Sequence, residues 1–359
     1  MAGFPAHPDA VTTEWLTGRL YAAGLLDNAA VKAVNWVAIG TGQVGDSVRF
    51  HLTYDRAGAG PATLAGKFPA ADPTSRGTAA AFGLYAKEVG FYRELQQHLA
   101  VRTPAALAAE IDAGEVEFVL LFEDLGPARG GNQLASCSAE DARAGIRQAA
   151  AIHAPSWNNA ALTELAWLQP KAGQAEQIMA LYGNAQAVFR ERYADSLEPE
   201  FMAMCEALND AKEHWFGREG GPRAIVHGDY RLDNMLFDIT GGAEPIAVLD
   251  WQTVAAGNPL TDIGYFLGTG IGDELRRAHE DEMLELYCTE MSRRGVPLTC
   301  AEIWDDYVIG ALHGISTAVF SAAYVERTPR GDENFLSMAR GGCALALHHG
   351  SLDKLKETA

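Results

Sequence analysis

The hydrophobic pattern of this 359-residue chain changes character once, and that change limits the folds open to it. Up to about Glu123 the pattern favours strands around a single helix, residues 77–99; in "SVRFHLTY" the apolar residues from Val48 to Tyr54 alternate with polar ones and so share one face. The sequence therefore predicts an α+β fold, with a small antiparallel-sheet lobe and one key helix over residues 1–125 and a larger, mostly helical lobe over residues 126–359. After Ser138, apolar residues recur every three or four positions, which predicts helices over residues 141–153, 175–193, 198–215, 273–293, 301–324 and 333–349.

The composition argues against several classes of partner. The formal net charge of −19 argues against nucleic acid and against an anionic membrane surface. No run approaches the roughly 20 apolar residues that cross a bilayer, and the N-terminus lacks the basic and apolar segments of a signal peptide, so we expect a cytoplasmic protein. The five cysteines are scattered and form no CxxC pair, which predicts reduced thiols rather than disulfides or a zinc site.

A glycine-rich segment, "GTGQVG" at residues 40–45, precedes the alternating strand. A dinucleotide-binding fold would place a helix directly after such glycines, whereas here a strand follows. The segment is therefore consistent with a hairpin whose backbone N–H groups cover the phosphates of a nucleotide. An ordinary glycine-rich turn is the alternative, and the loop taken alone favours it.

A lysine and a glutamate are both predicted to point inward. Lys67 lies in "TLAGKF" on the same strand face as Thr63 and Ala65, and Glu88 falls within the apolar stripe of the predicted helix. An inward carboxylate needs a partner, and Lys67 is the available one. The alternative is that both side chains reach water at the periphery.

Two apolar strands run into acidic residues. The first leads into "HGDYRLDN", where Asp229 and Asn234 are five positions apart, and the second ends at Asp250, sixteen positions after Asn234. Phosphoryl transfer uses such a set, because one carboxylate orients the attacking hydroxyl and accepts its proton while an asparagine and a second carboxylate hold Mg²⁺. A lysine held by a glutamate places the phosphates. We therefore predict that Lys67, Asp229, Asn234 and Asp250 meet around the triphosphate of one nucleotide.

In this order, the glycine hairpin, the Lys67–Glu88 pair, "HGDYRLDN" and "LDWQ" resemble the aminoglycoside phosphotransferase and choline kinase-like family, relatives of the eukaryotic protein kinases. The resemblance covers nearly the whole chain. It implies a bilobal protein kinase-like fold and a kinase that uses ATP or GTP with Mg²⁺ to phosphorylate a small molecule.

Carried over by position, the resemblance also implies roles for single residues. Asp233 is interpreted separately as a solvated loop residue. Asp229 is implied to be the catalytic base, with Arg231 near the transferred phosphate, and the implied metal ligands are Asn234 and Asp250. Lys67, oriented by Glu88, is implied to contact the α- and β-phosphates, which are covered by Gly40, Gly42 and Gly45. Backbone groups of Glu123 and Leu125 are implied to meet the adenine under Val48 and Ala65, and His227 and Asp262 are implied to give structural support.

Two departures from the protein kinases bear on the acceptor. Only twelve positions separate Asp250 from Asp262, too few for the segment that holds a peptide substrate, and "DWQ" replaces D-F-G, so we expect no inward–outward flip. The acceptor is expected to be a small hydroxylated metabolite or antibiotic-like molecule. The motifs look closer to the branch whose members have diverse or unassigned hydroxylated substrates, a branch that includes phosphotransferase domains found beside acyl-CoA dehydrogenases. Candidate acceptor-site residues, for each of which a solvated helix face or core packing is the more ordinary explanation, are Trp157, Trp304, Asp305, Asp306, Tyr324, Glu326, Asp332 and Glu333.

Two other hypotheses stay open on the sequence. A nucleotide-binding regulatory module without catalysis would carry the same binding residues. A nicotinamide oxidoreductase is suggested only by the G-x-G-x-x-G spacing of residues 40–45.

Overall fold

The chain divides into two compact units in the computed structural model, which describes residues 3–40, 44–170 and 173–358. The first unit consists of the chain up to Gln97 together with Thr103–Pro127 and Asp250–Gln252. The second consists of His98–Arg102, Ala128–Leu249 and the chain from Thr253 onward. The sequence assigned Asp250 to the helical lobe. The structure groups it with the first unit instead, because Asp250 is bonded to Lys67 and Trp251 is stacked on Phe91.

Among the described residues of the first unit, five antiparallel strands form one sheet in the order β1-β2-β3-β5-β4. Helix α1 precedes the sheet, and two short helices follow its third strand. The bounds are α1 Thr13–Ala22, β1 Val31–Ile39, β2 Gly45–Tyr54, β3 Thr63–Pro69, α2 Pro73–Ala81, α3 Leu84–Gly90, β4 Ala106–Ile111 and β5 Phe118–Glu123.

The two faces of this sheet have different coverings. The predicted alternation of β2 is observed, since Val48, Phe50 and Leu52 are at most 7% exposed and pack into an apolar cluster that also includes residues of α1. The opposite face carries Lys67 and is covered by aromatic side chains of the α3 region. Because directly paired residues of antiparallel strands share a face, the pairing of Ser47 with Lys67 puts Ser47 on the Lys67 face.

The prediction of one continuous helix over residues 77–99 is wrong. The chain forms α2, breaks at Phe82 and Gly83, and resumes as α3, which continues through a π-helical turn, Phe91–Leu95. Gly83 adopts the left-handed region at φ 67°, a conformation that interrupts a right-handed helix and that glycine adopts without strain. The apolar spacing persists across the break, which is why the pattern alone did not reveal it.

The second unit is mostly helical, with short strand pairs inserted near its middle. Its small sheets have the orders β6-β8-β9 and β7-β10. The bounds are β6 Arg129–Gly130, α4 Ala139–Ser156, α5 Ala160–Thr163, α6 Gln174–Tyr193, α7 Pro199–Asp210, α8 Lys212–Phe216, β7 Ala224–Val226, β8 Met235–Phe237, β9 Ile246–Val248, β10 Ala255–Gly257, α9 Leu260–Tyr265, α10 Asp273–Arg293, α11 Cys300–Gly310, α12 Leu312–Tyr324, α13 Pro329–His349 and α14 Ser351–Glu357.

The predicted helices of this unit are observed at α4, α6, α10 and α13, but two others are split. Residues 198–215 divide into α7 and α8 at Ala211, and residues 301–324 divide into α11 and α12 at Ala311. By length and composition the stretch Cys300–Tyr324 could cross a membrane, yet 67% of its most apolar window is buried inside the structure. These two helices therefore pack as core elements of the unit.

The inserted strands position the polar motifs. The loop of residues 227–234 connects β7 to β8, and Asp250 follows β9 by two positions. Both ends of this loop are bonded to Leu249, the residue that follows β9. His227 Nε2, at the start of the loop, contacts the Leu249 carbonyl at 2.8 Å. At the end of the loop, the Leu249 N–H donates to the Asn234 carbonyl at 2.8 Å.

Candidate active site

Lys67 lies between two carboxylates in the first unit. Its Nζ donates to Glu88 Oε2 at 2.7 Å and to Asp250 Oδ1 at 2.8 Å. The side chain of Lys67 is 11% exposed and that of Glu88 is 2% exposed, so water screens this pair weakly. The structure thus brings together the lysine and the glutamate that the sequence paired, and it adds Asp250 as a third member.

The charges of this group follow from burial and proximity. Burial alone lowers the pKa of Lys67, but the carboxylates of Asp250 and Glu88 outweigh it and raise the pKa above its ordinary value, so the ammonium stays protonated. Burial, opposed by Lys67 and reinforced by the like charge of Asp250, raises the pKa of Glu88 to about 7. Glu88 also accepts the backbone N–H of Trp251, which fixes its carboxylate from a second side.

Trp251, the residue after Asp250, is held rigidly. It is fully buried and stacks on Phe91 with ring centroids 3.7 Å apart and planes 6° from parallel. Asp250 itself adopts φ 63°, and its Oδ2 accepts from Gln252 Nε2 at 3.4 Å. The expectation that "DWQ" does not flip accords with this packing, because a flip would break the stack and expose a large aromatic side chain.

The glycine hairpin is described only in part, since Gly42 lies outside the described residues. Gly40 adopts φ 78°. A Cβ at Gly45 would come within 3.1 Å of Lys67 Cε and 3.3 Å of the Phe68 carbonyl oxygen, so a larger residue there would fit only if these neighbours shifted by a few tenths of an ångström. Val44 is anchored to α3, because Tyr85 Oη donates to its carbonyl at 2.7 Å.

The predicted adenine site needs a correction. Val48 pairs with Gly66 and lies in the apolar cluster on the α1 side of the sheet, whereas Ala65 pairs with Arg49 on the Lys67 face. Val48 and Ala65 therefore cannot form one surface. A shift of one position along a strand moves a side chain to the other face, so the residue next to Val48 that shares a face with Ala65, Arg49 and Lys67 is Ser47.

The segment after β5 is braced by contacts that the sequence did not reveal. The N–H of Glu123 and one of its carboxylate oxygens both bond to the backbone of Ala105, at 3.0 and 2.7 Å, and Leu125 is 4% exposed. Arg49 forms a bidentate pair with Asp124, at 2.6 and 3.1 Å. Burial raises the pKa of Asp124, but Arg49 and the Gly126 N–H outweigh it and lower the pKa.

In the second unit, Asp229 is bound on both carboxylate oxygens. Asn234 Nδ2 donates to Asp229 Oδ2 and to the Asp229 carbonyl, at 2.8 Å each, and Tyr265 Oη donates to Asp229 Oδ1 at 2.8 Å. Burial raises the pKa of Asp229, but the charges of Arg231 and His227 and these hydrogen bonds outweigh it, so the pKa is lowered. Asp229 is therefore an ionised, immobilised carboxylate.

Arg231 is folded back onto its own loop. Its Nε lies 2.9 Å from Asp229 Oδ1 without the alignment of a hydrogen bond, so this contact is mainly electrostatic. Its Nη1 donates to Gln133 Oε1 at 3.0 Å and to Asp233 Oδ2 at 3.2 Å. Asp233, interpreted as solvated, is only 14% exposed and also accepts the Gln133 N–H, because helices of the second unit pack over the loop. The solvated interpretation is wrong.

Asp262 braces the start of the loop from helix α9. It is fully buried and accepts the backbone N–H groups of His227 at 2.7 Å and Gly228 at 3.0 Å. His153 of α4 contacts the same carboxylate at 3.3 Å. Burial raises the pKa of Asp262, but His153, His227 and these N–H groups outweigh it and lower the pKa. The structure thus places Asp262 and His227 where structural support was predicted.

Several residues around Asp229 were not predicted, chiefly Tyr265, His153 and His313. Tyr265 follows Asp262 by three positions in "TDIGY", a spacing that puts both side chains on one face of a helix, so the sequence did carry a signal for it. His153 contacts Asp262 and His313 contacts the Gly228 carbonyl, but both come from distant helices, and nothing near them in the sequence indicates these contacts.

The proposed acceptor residues are mostly engaged in packing within the second unit. Trp304 packs against His349, Asp305 pairs with Lys354 at 3.3 Å, and Asp306 pairs with Arg218. Tyr324 Oη donates to the Leu181 carbonyl at 3.0 Å, and Asp332 accepts from Tyr193 at 2.5 Å. Trp157 is half-buried, while Glu326 and Glu333 are exposed. These contacts favour the ordinary structural explanation for most of this set.

Comparison with known proteins identifies the family. A model of the phosphotransferase enzyme family matches residues 68–296, well over half of the chain. The chain belongs to the phosphotransferase enzyme family. It is 48% identical over 42 residues to acyl-CoA dehydrogenase family member 11 of Gallus gallus, a match that spans 12% of this chain and 5% of that protein. It is 28% identical over 130 residues to the Mus musculus member 11, which spans 32% of this chain and 16% of that protein.

Solved structures of other phosphotransferases share the fold of this family member. A putative aminoglycoside phosphotransferase from Ralstonia eutropha JMP134 has 16% identity and a TM-score of 0.51, covering 93% of this chain and 98% of that one. The GDP complex of aminoglycoside 2'-phosphotransferase-IIIa has 12% identity and a TM-score of 0.53, covering 93% and 99%. At these identities the likeness establishes the fold alone, and the predicted protein kinase-like α+β fold is confirmed.

Proposed function

We propose that this phosphotransferase moves the γ-phosphate of ATP or GTP to a hydroxyl group of a small molecule, with Asp229 as the catalytic base. The observation that carries the proposal is the buried ammonium of Lys67 between Glu88 and Asp250. A permanently protonated lysine on a rigid strand, oriented by a helix glutamate, is suited to holding the α- and β-phosphates of a nucleotide. Solved family relatives bound to GDP, and to ADP with spectinomycin, support nucleotide use and a small acceptor.

The groups available for a metal ion suit Mg²⁺. Asn234 uses its amide nitrogen to hold Asp229, which turns its amide oxygen away from that carboxylate. Asp250 offers a carboxylate that is 28% exposed. Mg²⁺ takes oxygen ligands from carboxylates, amides and phosphates, so we assign Asn234 and Asp250 as its protein ligands. When bound, the ion neutralises charge on the phosphate oxygens.

The residues of the chain are proposed to have separate roles in the phosphoryl transfer. Asp229, ionised and fixed on both oxygens, orients the acceptor hydroxyl and takes its proton as the oxygen attacks phosphorus. Arg231, next to Asp229, is available to offset negative charge on the transferred group. The purine ring of the nucleotide is proposed to bind on the Lys67 face of the sheet, against Ser47 and Ala65 and the segment that follows β5.

The nicotinamide hypothesis loses its basis in this structure. The residues after the glycines form strand β2, so no helix N-terminus is present there to meet a pyrophosphate. A regulatory module without catalysis is not favoured either, because an ionised carboxylate held by both a tyrosine and an asparagine is more than nucleotide binding requires.

Asp229→Asn is the decisive test. The protein is incubated with a metabolite extract and labelled ATP and Mg²⁺, and new phosphoesters are identified by mass spectrometry. With the acceptor so identified, Asp229→Asn should lower kcat by about 10²- to 10⁴-fold, because the general base is lost, while the Kd for ATP stays near wild type. Asp238→Asn, an exposed aspartate in the same unit, serves as the matched control and should retain full activity. Full activity of Asp229→Asn would remove the catalytic-base assignment.

A further inference from the structure

Helix α9 reaches the loop of residues 227–234 at two points. Asp262 accepts the N–H groups of His227 and Gly228, and Tyr265, three positions later on the same helix face, donates to Asp229 Oδ1 at 2.8 Å. One short helix therefore holds both the backbone at the start of the loop and the carboxylate that follows it. The proposed function cites the second contact only as a sign of catalysis and assigns Tyr265 no role of its own.

The Tyr265 hydroxyl is committed to Asp229. Tyr265 is fully buried, so its hydroxyl has no water to bond with, and the other recorded acceptor near it is Met338 Sδ at 4.0 Å. An ionised carboxylate oxygen is a much stronger acceptor than a thioether, so the phenol proton points to Asp229. Together with Asn234 Nδ2 on Oδ2, this contact leaves the carboxylate a single orientation.

The packing around Tyr265 leaves it little freedom. A Cβ at Gly264, the residue before it, would come within 2.5 Å of the Gly310 carbonyl carbon, so α9 and α11 cross at backbone contact. His313 packs edge-on against the Tyr265 ring, with centroids 5.1 Å apart and planes at 89°. His313 Nε2 also contacts the Gly228 carbonyl at 2.7 Å, next to Asp229 in the chain. The Tyr265 ring is thus packed between the loop of residues 227–234 and the helices α11 and α12.

We propose that Tyr265 is a positioning residue for the phosphoryl transfer: its hydroxyl fixes Asp229 so that the free lone pairs of the carboxylate point at the acceptor hydroxyl. The inference rests on the proposed role of Asp229 as catalytic base. A base held in one orientation needs no reorganisation when the proton moves, and for that reason pre-positioning raises kcat rather than substrate affinity.

Tyr265→Phe tests the inference, because it removes the hydroxyl and keeps the ring. MgATP hydrolysis, in which water replaces the acceptor, is measured as separate kcat and KM values for the wild type, Tyr265→Phe and Asp229→Asn. Tyr182→Phe is the matched control, since Tyr182 is equally buried and its hydroxyl has no partner among the described residues.

We expect Tyr265→Phe to lower kcat about 10- to 100-fold, the usual effect of removing a donor from a charged acceptor, with the KM for ATP unchanged. Tyr182→Phe should match the wild type in both constants. An active wild type with unchanged kcat in Tyr265→Phe, or a Tyr265→Phe variant whose KM for ATP rises as much as its kcat falls, would overturn the inference and leave the proposed function standing. A wild type no faster than Asp229→Asn would overturn the proposed function, and the inference with it.

Discussion

The acids of the candidate active site differ in what surrounds each carboxylate. Glu88 is buried beside one ammonium and a second acid, and its pKa is raised to about 7. Asp262 is as deeply buried and Asp229 is half-buried, but N–H, O–H and cationic groups converge on both, and the pKa of each is lowered. Burial alone therefore does not decide the charge of a carboxylate here; the number of donors aimed at it does.

The strongest pH-dependent contribution to folding is expected at Asp262. Its pKa in the folded state lies below its ordinary value of 3.8, so its contribution to stability is complete above that value and is lost as the pH falls through the folded pKa. Asp262→Asn should lower the free energy of unfolding by about 3 kcal/mol at pH 7, because it removes a buried charge from its N–H donors and His153. Denaturant unfolding at pH 7 and near pH 3 measures the difference.

The matched control for that experiment is Asp305→Asn. Asp305 is 58% exposed and pairs with Lys354 at the surface, where such pairs contribute about 0–1 kcal/mol. The loss in Asp262→Asn should shrink as the pH falls, while the control stays close to the wild type at both values. An equal loss at pH 7 and near pH 3 would show that the charge of Asp262 does not matter.

Single side chains were predictable from the sequence to unequal degrees. Asp229, Asn234 and Asp250 stand beside predicted strand ends in a spacing that predicts phosphoryl transfer, and their roles in it stay predictions. Asp233 looked equally polar and proved to be largely buried, because its partners Gln133 and Asn334 come from about a hundred positions away. Long-range partners of this kind leave no local signal.

Strand β2 shows how an element can be predicted well and still mislead about a site. Its existence and alternation follow from the sequence, but which face meets the nucleotide depends on its pairing with β3, which the pattern does not contain. The same limit applies to helices. The breaks at Gly83, Ala211 and Ala311 fall inside continuous apolar spacing, so the pattern predicted the helical regions and missed their interruptions.

The register of β2 gives a paired prediction. Val48→Ala should lower the free energy of unfolding by about 2 kcal/mol, because it empties part of the apolar cluster on the α1 side, and should leave the Kd for ATP unchanged. Ala65→Phe should raise the Kd for ATP at least about tenfold, since a large ring would occupy the Lys67 face. Calorimetric titration and denaturant unfolding of both variants measure these effects. Weakened ATP binding in Val48→Ala would show that the assignment of faces is wrong.

For the chain as a whole, the sequence predicted a sheet-containing unit followed by a mostly helical one, and the structure has both. The prediction succeeded because apolar residues recur at every second position in the first unit and at every third or fourth position in the second. Such a change in spacing is the strongest signal that a sequence carries about architecture. The assignment of Asp250 failed at the same level, because three residues of the later chain belong to the earlier unit.

Ligand-induced stability tests the proposed function on the intact protein. A ligand stabilises only the folded state that binds it, so MgATP at a hundred times its Kd should add about 2.7 kcal/mol to the free energy of unfolding. We expect Tm to rise with MgATP or MgGTP and to be unaffected by NADH. Lys67→Met should lose most of the rise. Stabilisation by NADH, or none by either nucleotide, would contradict nucleotide-dependent phosphotransfer.

The stack of Trp251 on Phe91 has a consequence for small-molecule inhibitors. Trp251 lies face to face against a neighbouring ring and is fully buried. A compound that needed the space of this side chain would have to break the stack and expose the indole ring, which costs free energy. Useful chemical probes should therefore be those that leave Trp251 in place.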